Sequence, residues 1–321
     1  MDLHGIHHVT SVSAKIGDNA AFYTRVLGMR LVKKSVNQDD TSAYHLFYAD
    51  KVGSPGTDMT FFDWPSAHPE QRGTDSIVLT AFRIHGADAL AYWAQRLSDN
   101  GITHEGIQTF HGREVIAFDD PEGQRLMLVD DGGAAYTGEA WDGSDVPTKF
   151  ALRGFYAVML SIPELEQIDP IMTLVLDWTE VGLTEYMDGR QVRIYRMGKG
   201  GPGREVWVMV EPEATRAQPG AGGTHHVAFR VADVSEQEFW HQRVQSVGLP
   251  ISGFIDRYYF KSIYFRISNG ILFEIATDEP GFAVDEPLES LGERLALPPF
   301  LEPRREMIEA RLKPIVMPEV K

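Results

Sequence analysis

Short runs of apolar residues, some alternating with polar ones, recur along the whole chain, and an amphipathic stretch with helical spacing follows the first run of each set. The first set opens with HHVTSVS, passes through DNAAFYTRVLGM to SAYHLFYAD and GTDMTFFDW, and closes near Pro65. The second runs from SIVLTAFRI through ADALAYWAQRLSDNG to REVIAFDD and GQRLMLVDD, closing near Asp131. The third starts at RGFYAVMLSI and closes at REVWVMVEP, and the fourth starts at HHVAFRVAD and closes at GILFEIATD. Each set therefore predicts a strand, a helix, and two or three further strands, a unit written four times.

Local signals support the unit. Phe239, Trp240, Val244 and Val247 mark the helix of the fourth set, and Gly28, Gly101 and Gly248 stand where helices commonly end in a left-handed residue. Ser262 to Ser268 alternates as a strand, while KVGSPGTD and MGKGGPGRE carry turn residues. In the third set, Pro170 within ELEQIDPIMTLVLDW predicts a break or a helix start. The Gly- and Asp-rich stretch 131–150 predicts a linker, which divides the chain into residues 1–135, residues 150–284 and a C-terminal extension 285–321. In the extension, EPRREMIEARLKPIVMPEV could form a helix that packs on the body or on a second copy in a homo-oligomer.

Composition narrows the function classes. A chain of 321 residues with 43% hydrophobic content can fill two ordinary domains. The start MDLHGIHHVTSVS has neither the basic residues nor the apolar run of a signal peptide, and no segment has the length of a bilayer span, so a cytoplasmic protein is expected. With no cysteine, any bound metal must be held by nitrogen and oxygen. The 46 acidic and 30 basic residues give a net charge of -16, which disfavours nucleic acid and anionic membranes as partners. No glycine-rich loop sits between a strand and a helix as phosphate binding requires, so a nucleotide is not expected either.

Differences among the four units locate the chemistry. Alignment on the shared AFR places Leu79 where the fourth unit has His226; the first unit has His8 there, and the third is aligned at Tyr156. Four residues beyond the glycine that opens each closing strand stand Thr60, Met127, Trp207 and Glu274. Glu274 lies in the apolar run Ile271 to Ala276, and burial of an unpaired carboxylate is costly, so it should meet a cation such as Arg257 or Arg266, or a metal. Two histidines and one carboxylate at matching strand positions favour the metal.

The segments IHHVT, YHLFYAD followed by GSPGTDMTFF, RGFY, GTHHVAF, IDRYYFKSIYFRISNGILFE and LESLGERLALPPFLEPRR together resemble the vicinal oxygen chelate superfamily, which includes glyoxalase I, bleomycin-resistance proteins and extradiol dioxygenases. Within it the chain is most similar to ring-cleaving dioxygenases acting on hydroquinones. The resemblance implies an α+β fold of four βαβββ modules forming two cups of mixed, strongly curved sheet, the first and fourth modules supplying one site. It implies His8, His226 and Glu274 as metal ligands, and Tyr264, Arg257, His7, His225 and Thr10 as residues near the substrate. Strand alternation, by contrast, would turn His7 and His225 away from the faces that carry His8 and His226.

Two imidazoles and a carboxylate leave open positions on an octahedral ion, as in non-haem Fe(II) oxygenases. The resemblance thus implies Fe(II), with Mn(II) as an alternative, and a small aromatic diol opened with O2 between a hydroxylated carbon and its neighbour. Tyr264 could donate to bound oxygen, Arg257 could stabilise negative charge, and a neighbouring histidine could move the substrate proton. Two rivals share the fold. A glyoxalase-like lyase or isomerase would use Zn(II) or Ni(II) and commonly a fourth protein ligand, where this chain has Thr60. A metal-free protein that binds aromatic compounds would not need His8, His226 and Glu274 together. His4, His68, His85, His104, His111 and His241 lack matching partners and are expected to be structural or exposed; His45 could face the cup, with no second residue to support ligation.

Overall fold

A computed structural model describes residues 1–267 and 270–316; Ser268, at the end of the expected strand, and residues 317–321 of the tail lie outside them. The first unit folds as β1 (Ile6–Ser13), α1 (Ile16–Ala21), β2 (Arg30–Val36), β3 (Tyr44–Ala49) and β4 (Asp58–Asp63). The second is β5 (Ser76–Ile84), α2 (Ala87–Asp99), β6 (Gln108–Phe110), β7 (Arg113–Asp119) and β8 (Arg125–Asp130). The third supplies β9 (Phe155–Ile162), β10 (Thr179–Glu185), β11 (Gln191–Arg196) and β12 (Glu205–Val210). The fourth supplies β13 (Thr224–Val231), α3 (Val234–Ser246), β14 (Ile255–Asp256), β15 (Lys261–Arg266) and β16 (Leu272–Thr277).

The strands form two curved eight-stranded sheets, ordered β14-β15-β16-β13-β1-β4-β3-β2 and β10-β11-β12-β9-β5-β8-β7-β6. The first sheet joins the first and last units and the second joins the middle two, so each sheet draws strands from both 1–135 and 150–284. In each, two opening strands lie antiparallel at the centre, β1 against β13 and β5 against β9, with closing strands parallel outside them. A single apolar cluster links one face of each sheet: Val9, Phe229 and Phe273 from the first, Phe82 and Val158 from the second, with Trp93 and Trp240 from the helices.

Every central strand carries a bulge. In the β1–β13 ladder, Ile6 pairs with Phe229 but His8 with Ala228, and Thr10 pairs with His226 but Ser11 with Thr224, which leaves His7 and His225 as the extra residues. The β5–β9 ladder repeats this at Val78 and Tyr156. The register corrects the alignment of the third unit. Trp207 pairs with Met159, two residues beyond Ala157, just as Thr60 pairs with Thr10, two beyond His8. Ala157 is therefore the counterpart of His8, and Tyr156 that of the bulged His7.

The helices differ from expectation where their apolar pattern was read too broadly. α1 is short and continues as a π-turn over Phe22–Val26, and the third unit has only a 3-10 turn at Leu165–Gln167 and a π-turn at Ile171–Val175, which starts directly after Pro170. Gly28, Gly101 and Gly248 do end their helices at positive φ; Asp177 takes that conformation in the third unit, at φ 59°. In α3, Trp240 and Val244 are buried, but Phe239 and Val247 are 37% and 54% exposed. Their place on the buried face is taken by Gln237, whose amide donates to the Lys261 and Ile275 carbonyls.

The C-terminal extension packs on the body but not as one long helix. It has a 3-10 turn at Glu302–Arg304 and a five-residue α4 (Arg305–Glu309), in a sequence interrupted by Pro298, Pro299, Pro303 and Pro314. Ala296 N–H donates to the Lys34 carbonyl at 2.9 Å, and Leu297, Leu301 and Ile308 pack with Val36, which covers the outer edge of the first sheet at β2. Lys33 fixes the start of this segment: its buried ammonium meets Asp285 at 2.7 Å, the Phe282 carbonyl at 3.1 Å, and Glu286. No helix among the described residues is long and apolar enough to cross a membrane.

Candidate metal centre

The adjacent strands β1, β13 and β16 bring His8, His226 and Glu274 together, all nearly inaccessible at 2%, 4% and 0% exposure. Their candidate ligand atoms lie within 4.8 Å of one another. Glu274 Oε2 is 3.2 Å from His8 Nε2 and 2.9 Å from His226 Nε2, yet it makes no hydrogen bond of acceptable direction. Its other oxygen, Oε1, accepts from Ser262 Oγ at 2.5 Å. A buried carboxylate oxygen that faces two imidazole nitrogens without a directed hydrogen bond is suited to a cation. Burial alone would raise the Glu274 carboxyl, but His8 and His226 outweigh it and hold it well below the usual range, so it stays ionised.

The bulges explain the doubled histidines. His7 Nδ1 lies 2.9 Å from His8 Nδ1, and His225 Nδ1 lies 2.7 Å from His226 Nδ1. The alternation that would send His7 and His225 to the opposite face fails because each is the extra residue of its strand. With Nδ1 occupied in both His8 and His226, Nε2 is left for a metal, and a ligating imidazole keeps its proton on Nδ1 and donates it. With a metal on His8 and His226, the first histidine of each pair would accept at Nδ1. Burial and the neighbouring imidazole hold His7 well below its usual pKa and push His225 down to about 3, so both are neutral. The two differ in place: His7 is buried against Phe260, whereas His225 stands at the mouth beside Phe62 and Trp64.

A cavity of about 350 Å3 opens in front of the cluster, lined among others by His45, Phe47, Phe62, Trp64, Arg257 and Tyr264. Arg257 donates through Nε to the Tyr264 hydroxyl at 3.2 Å and through Nη2 to Asp39 at 3.0 Å. Burial and the Glu274 charge raise the Tyr264 phenol, so it remains a protonated donor. Thr60, in the strand position of Glu274, is occupied otherwise: its Oγ1 lies 2.8 Å from Thr10 Oγ1 and 2.9 Å from His45 Nε2. His45 thus borders the cavity through Thr60, and burial holds it well below its usual pKa.

Sequence reasoning missed Asp58. It pairs with His8 across β1 and β4, and the Thr10–Thr60 contact shows that paired side chains here share a face. Asp58 is 1% exposed, neither oxygen has a hydrogen bond, and burial pushes its pKa up to about 7. A charged residue two positions before Thr60 in GTDMTFF was the available signal. Ser262 was missed as well, having looked like an ordinary strand residue.

The expected bystanders lie elsewhere: His4 meets Glu236, His85 meets Asp131, His104 meets Ser98 and His241 meets the Ser252 carbonyl. His85, Asp130 and Asp131 also cluster, but Arg83 and Arg153 already neutralise Asp131. In the second sheet the positions of the three ligands carry Leu79, Ala157 and Met127 or Trp207, which join Phe110 and Tyr156 in an apolar plug.

Comparison with known proteins agrees with this architecture. The family described as the glyoxalase/bleomycin resistance protein/dioxygenase superfamily matches residues 5–128 and 154–285. MhqA of Bacillus subtilis (strain 168), provisionally named a ring-cleaving dioxygenase, is 45% identical over 98% of this chain and 100% of its own length. A chlorohydroquinone/hydroquinone 1,2-dioxygenase of Sphingobium indicum is 30% identical over 98% of each chain. A crystal structure from Bacillus subtilis subsp. subtilis str. 168, provisionally described as a dioxygenase, superposes with a TM-score of 0.90 at 34% identity, over 99% of each chain.

Proposed function

The chain belongs to the glyoxalase/bleomycin resistance protein/dioxygenase superfamily, and from that membership we propose that it is a ring-cleaving dioxygenase opening a hydroquinone-type aromatic diol with O2. His8, His226 and Glu274 would hold Fe(II), with Mn(II) as the alternative. The observation that carries this reading is Glu274 Oε2, buried and facing both Nε2 atoms without a directed hydrogen bond, in a set of three ligands rather than four. Three ligands leave room for both reactants, and the hydroxyl of Thr60 is already engaged by Thr10 and His45 instead of serving as a fourth. When bound, the metal supplies the redox link between the diol and dioxygen.

The chain's own groups have distinct tasks. Phe47, Phe62 and Trp64 would take the flat ring and keep water from it. His225, with its proton on Nε2, would donate to an ionised substrate oxygen, so in its neutral form it serves as a donor rather than a base. Tyr264 would donate its hydroxyl proton to oxygen where negative charge develops, and Arg257 would hold that hydroxyl in place and add positive charge. His7, behind His8, would fix the ligand's tautomer without meeting substrate.

The test is anaerobic reconstitution with Fe(II), Mn(II), Zn(II) or Ni(II), then oxygen uptake with hydroquinones and catechols, with hemithioacetal turnover measured in parallel. Oxygen uptake with a ring substrate under Fe(II) or Mn(II) is expected. Turnover of the hemithioacetal with Zn(II) or Ni(II), and no oxygen uptake with any diol, would replace this reading by the lyase.

A further inference from the structure

The second sheet repeats the geometry of the first, bulges included, but its ligand positions are apolar and its plug is complete. At the mouth of that plug remains a cavity of about 620 Å3. Leu79 and Ala117 line its inner part, Tyr186 and Met187 one side, and Arg125 stands two residues before Met127. That is where Leu272, two residues before Glu274, lines the metal-facing cavity. The second cup thus places a cation where the first has an apolar side chain.

Arg125 makes no ion pair or hydrogen bond among the described residues, although it is partly buried. Its carboxylate neighbours in the lining are engaged elsewhere. Asp119 meets Arg72 at 2.6 Å, Asp188 is held by Arg190 at 2.6 Å, and Glu105 accepts from Gln108 at 3.0 Å. Asp120 accepts from the backbone N–H groups of Glu122 and Gln124. Burial lowers the Arg125 pKa and the nearby Arg72 guanidinium lowers it further, while Glu70, Tyr186 and Asp119 act against them from beyond contact. A partly buried guanidinium whose fork of donors has no protein partner favours a carboxylate, which it binds in two parallel hydrogen bonds.

We propose that the mouth of the second cup binds a small carboxylate with a flat apolar body, the carboxylate on Arg125 and the body against Leu79, Tyr186 and Met187. This site is independent of the metal and of whatever reaction the first cup performs.

Benzoate is the probe, with benzamide as its uncharged counterpart, titrated into the full-length, metal-loaded protein labelled at the methionine methyl groups. The Met187 signal, one of 11 methionines, reports on this mouth. Benzoate is expected to shift it saturably and to bind roughly tenfold or more tightly than benzamide, the difference of one charge-assisted contact. Arg125→Gln should weaken benzoate by a similar factor, Arg125→Lys by less, and Glu274→Gln not at all. Equal binding of benzoate and benzamide, no saturable shift at Met187, or an unchanged benzoate affinity in Arg125→Gln would overturn the proposal. Should Arg125→Gln fail to fold, the benzoate-to-benzamide ratio in the unaltered protein decides.

Discussion

The Nδ1 atoms of His225 and His226 lie 2.7 Å apart, although these residues are neighbours on one strand and an unbroken strand would point them to opposite faces. The extra residue in β13 makes this contact, and the same device in β1 sets His7 on His8. The second ring of each pair is left with Nε2 toward Glu274; His7 stands behind His8, whereas His225 sits at the cavity mouth.

His225→Ala should therefore separate metal binding from turnover. Metal content after reconstitution is expected to stay near that of the unaltered protein, while kcat/KM for oxygen uptake falls roughly 10–100-fold. His226→Ala should lose the metal itself. Elemental analysis beside steady-state oxygen uptake distinguishes the two, and a His225→Ala protein as metal-poor as His226→Ala would show that His225 acts on the ligand alone.

Thr60→Val removes the hydroxyl that joins Thr10 Oγ1 to His45 Nε2. Two buried polar groups lose a partner, at a cost of about 1–3 kcal/mol in unfolding free energy. Urea denaturation should show this loss, with Thr60→Ser recovering most of it; equal destabilisation by Val and Ser would point to packing instead of hydrogen bonding.

Lys33 is wholly buried, and Lys33→Met would leave Asp285 without its cation and Glu286 with only the longer contact to exposed Arg294, at 3.4 Å, where the extension joins the first sheet. Removing one partner of a buried ion pair costs about 3–5 kcal/mol. Limited proteolysis should then cut first within 285–316, before any cut in the sheets. A variant with the unaltered cleavage pattern would argue that Leu297, Leu301 and Ile308 hold the segment unaided.

Asp120 gives a pH dependence whose sign is fixed by its environment. Burial pushes its carboxyl up to about 6 in the folded protein, whereas an unfolded chain releases that proton near pH 4. Between those values the folded state holds more protons, so this group's contribution to stability falls as pH rises from about 4 to about 6 and is level above. Asp120→Asn should abolish that fall, worth at most about 3 kcal/mol. Denaturation curves across the window test it, and parallel curves for the two proteins would contradict it.

Much of this was legible in the residues because the four units repeat. The strands, the glycine helix ends, and the trio His8, His226 and Glu274 all follow from comparing one copy with the next. What escaped was whatever depends on a bulge or on a partner strand. A one-residue bulge is invisible to counting, so Tyr156 was aligned where Ala157 belongs, and the direction of His7 and His225 came out reversed. Asp58 and Ser262 became recognisable only once strand pairing set Asp58 opposite His8 and a hydrogen bond joined Ser262 to Glu274. The exposed Phe239 and Val247 show the opposite limit, because helical spacing records a pattern but not which part of it the neighbouring sheet covers.

The pairing of β1 with β13 also sets a timetable. The middle units are complete by Val210, but the first sheet has only half its strands until Thr224 and is complete only at Thr277, and 213 residues of chain separate Ser11 from its hydrogen-bond partner Thr224. At translation speeds of about 5–20 residues per second, His8 waits roughly ten to fifty seconds for Glu274. A nascent chain thus has the strands of its second sheet well before it can assemble the metal centre, and a ribosome that stops short of β16 releases a protein without one.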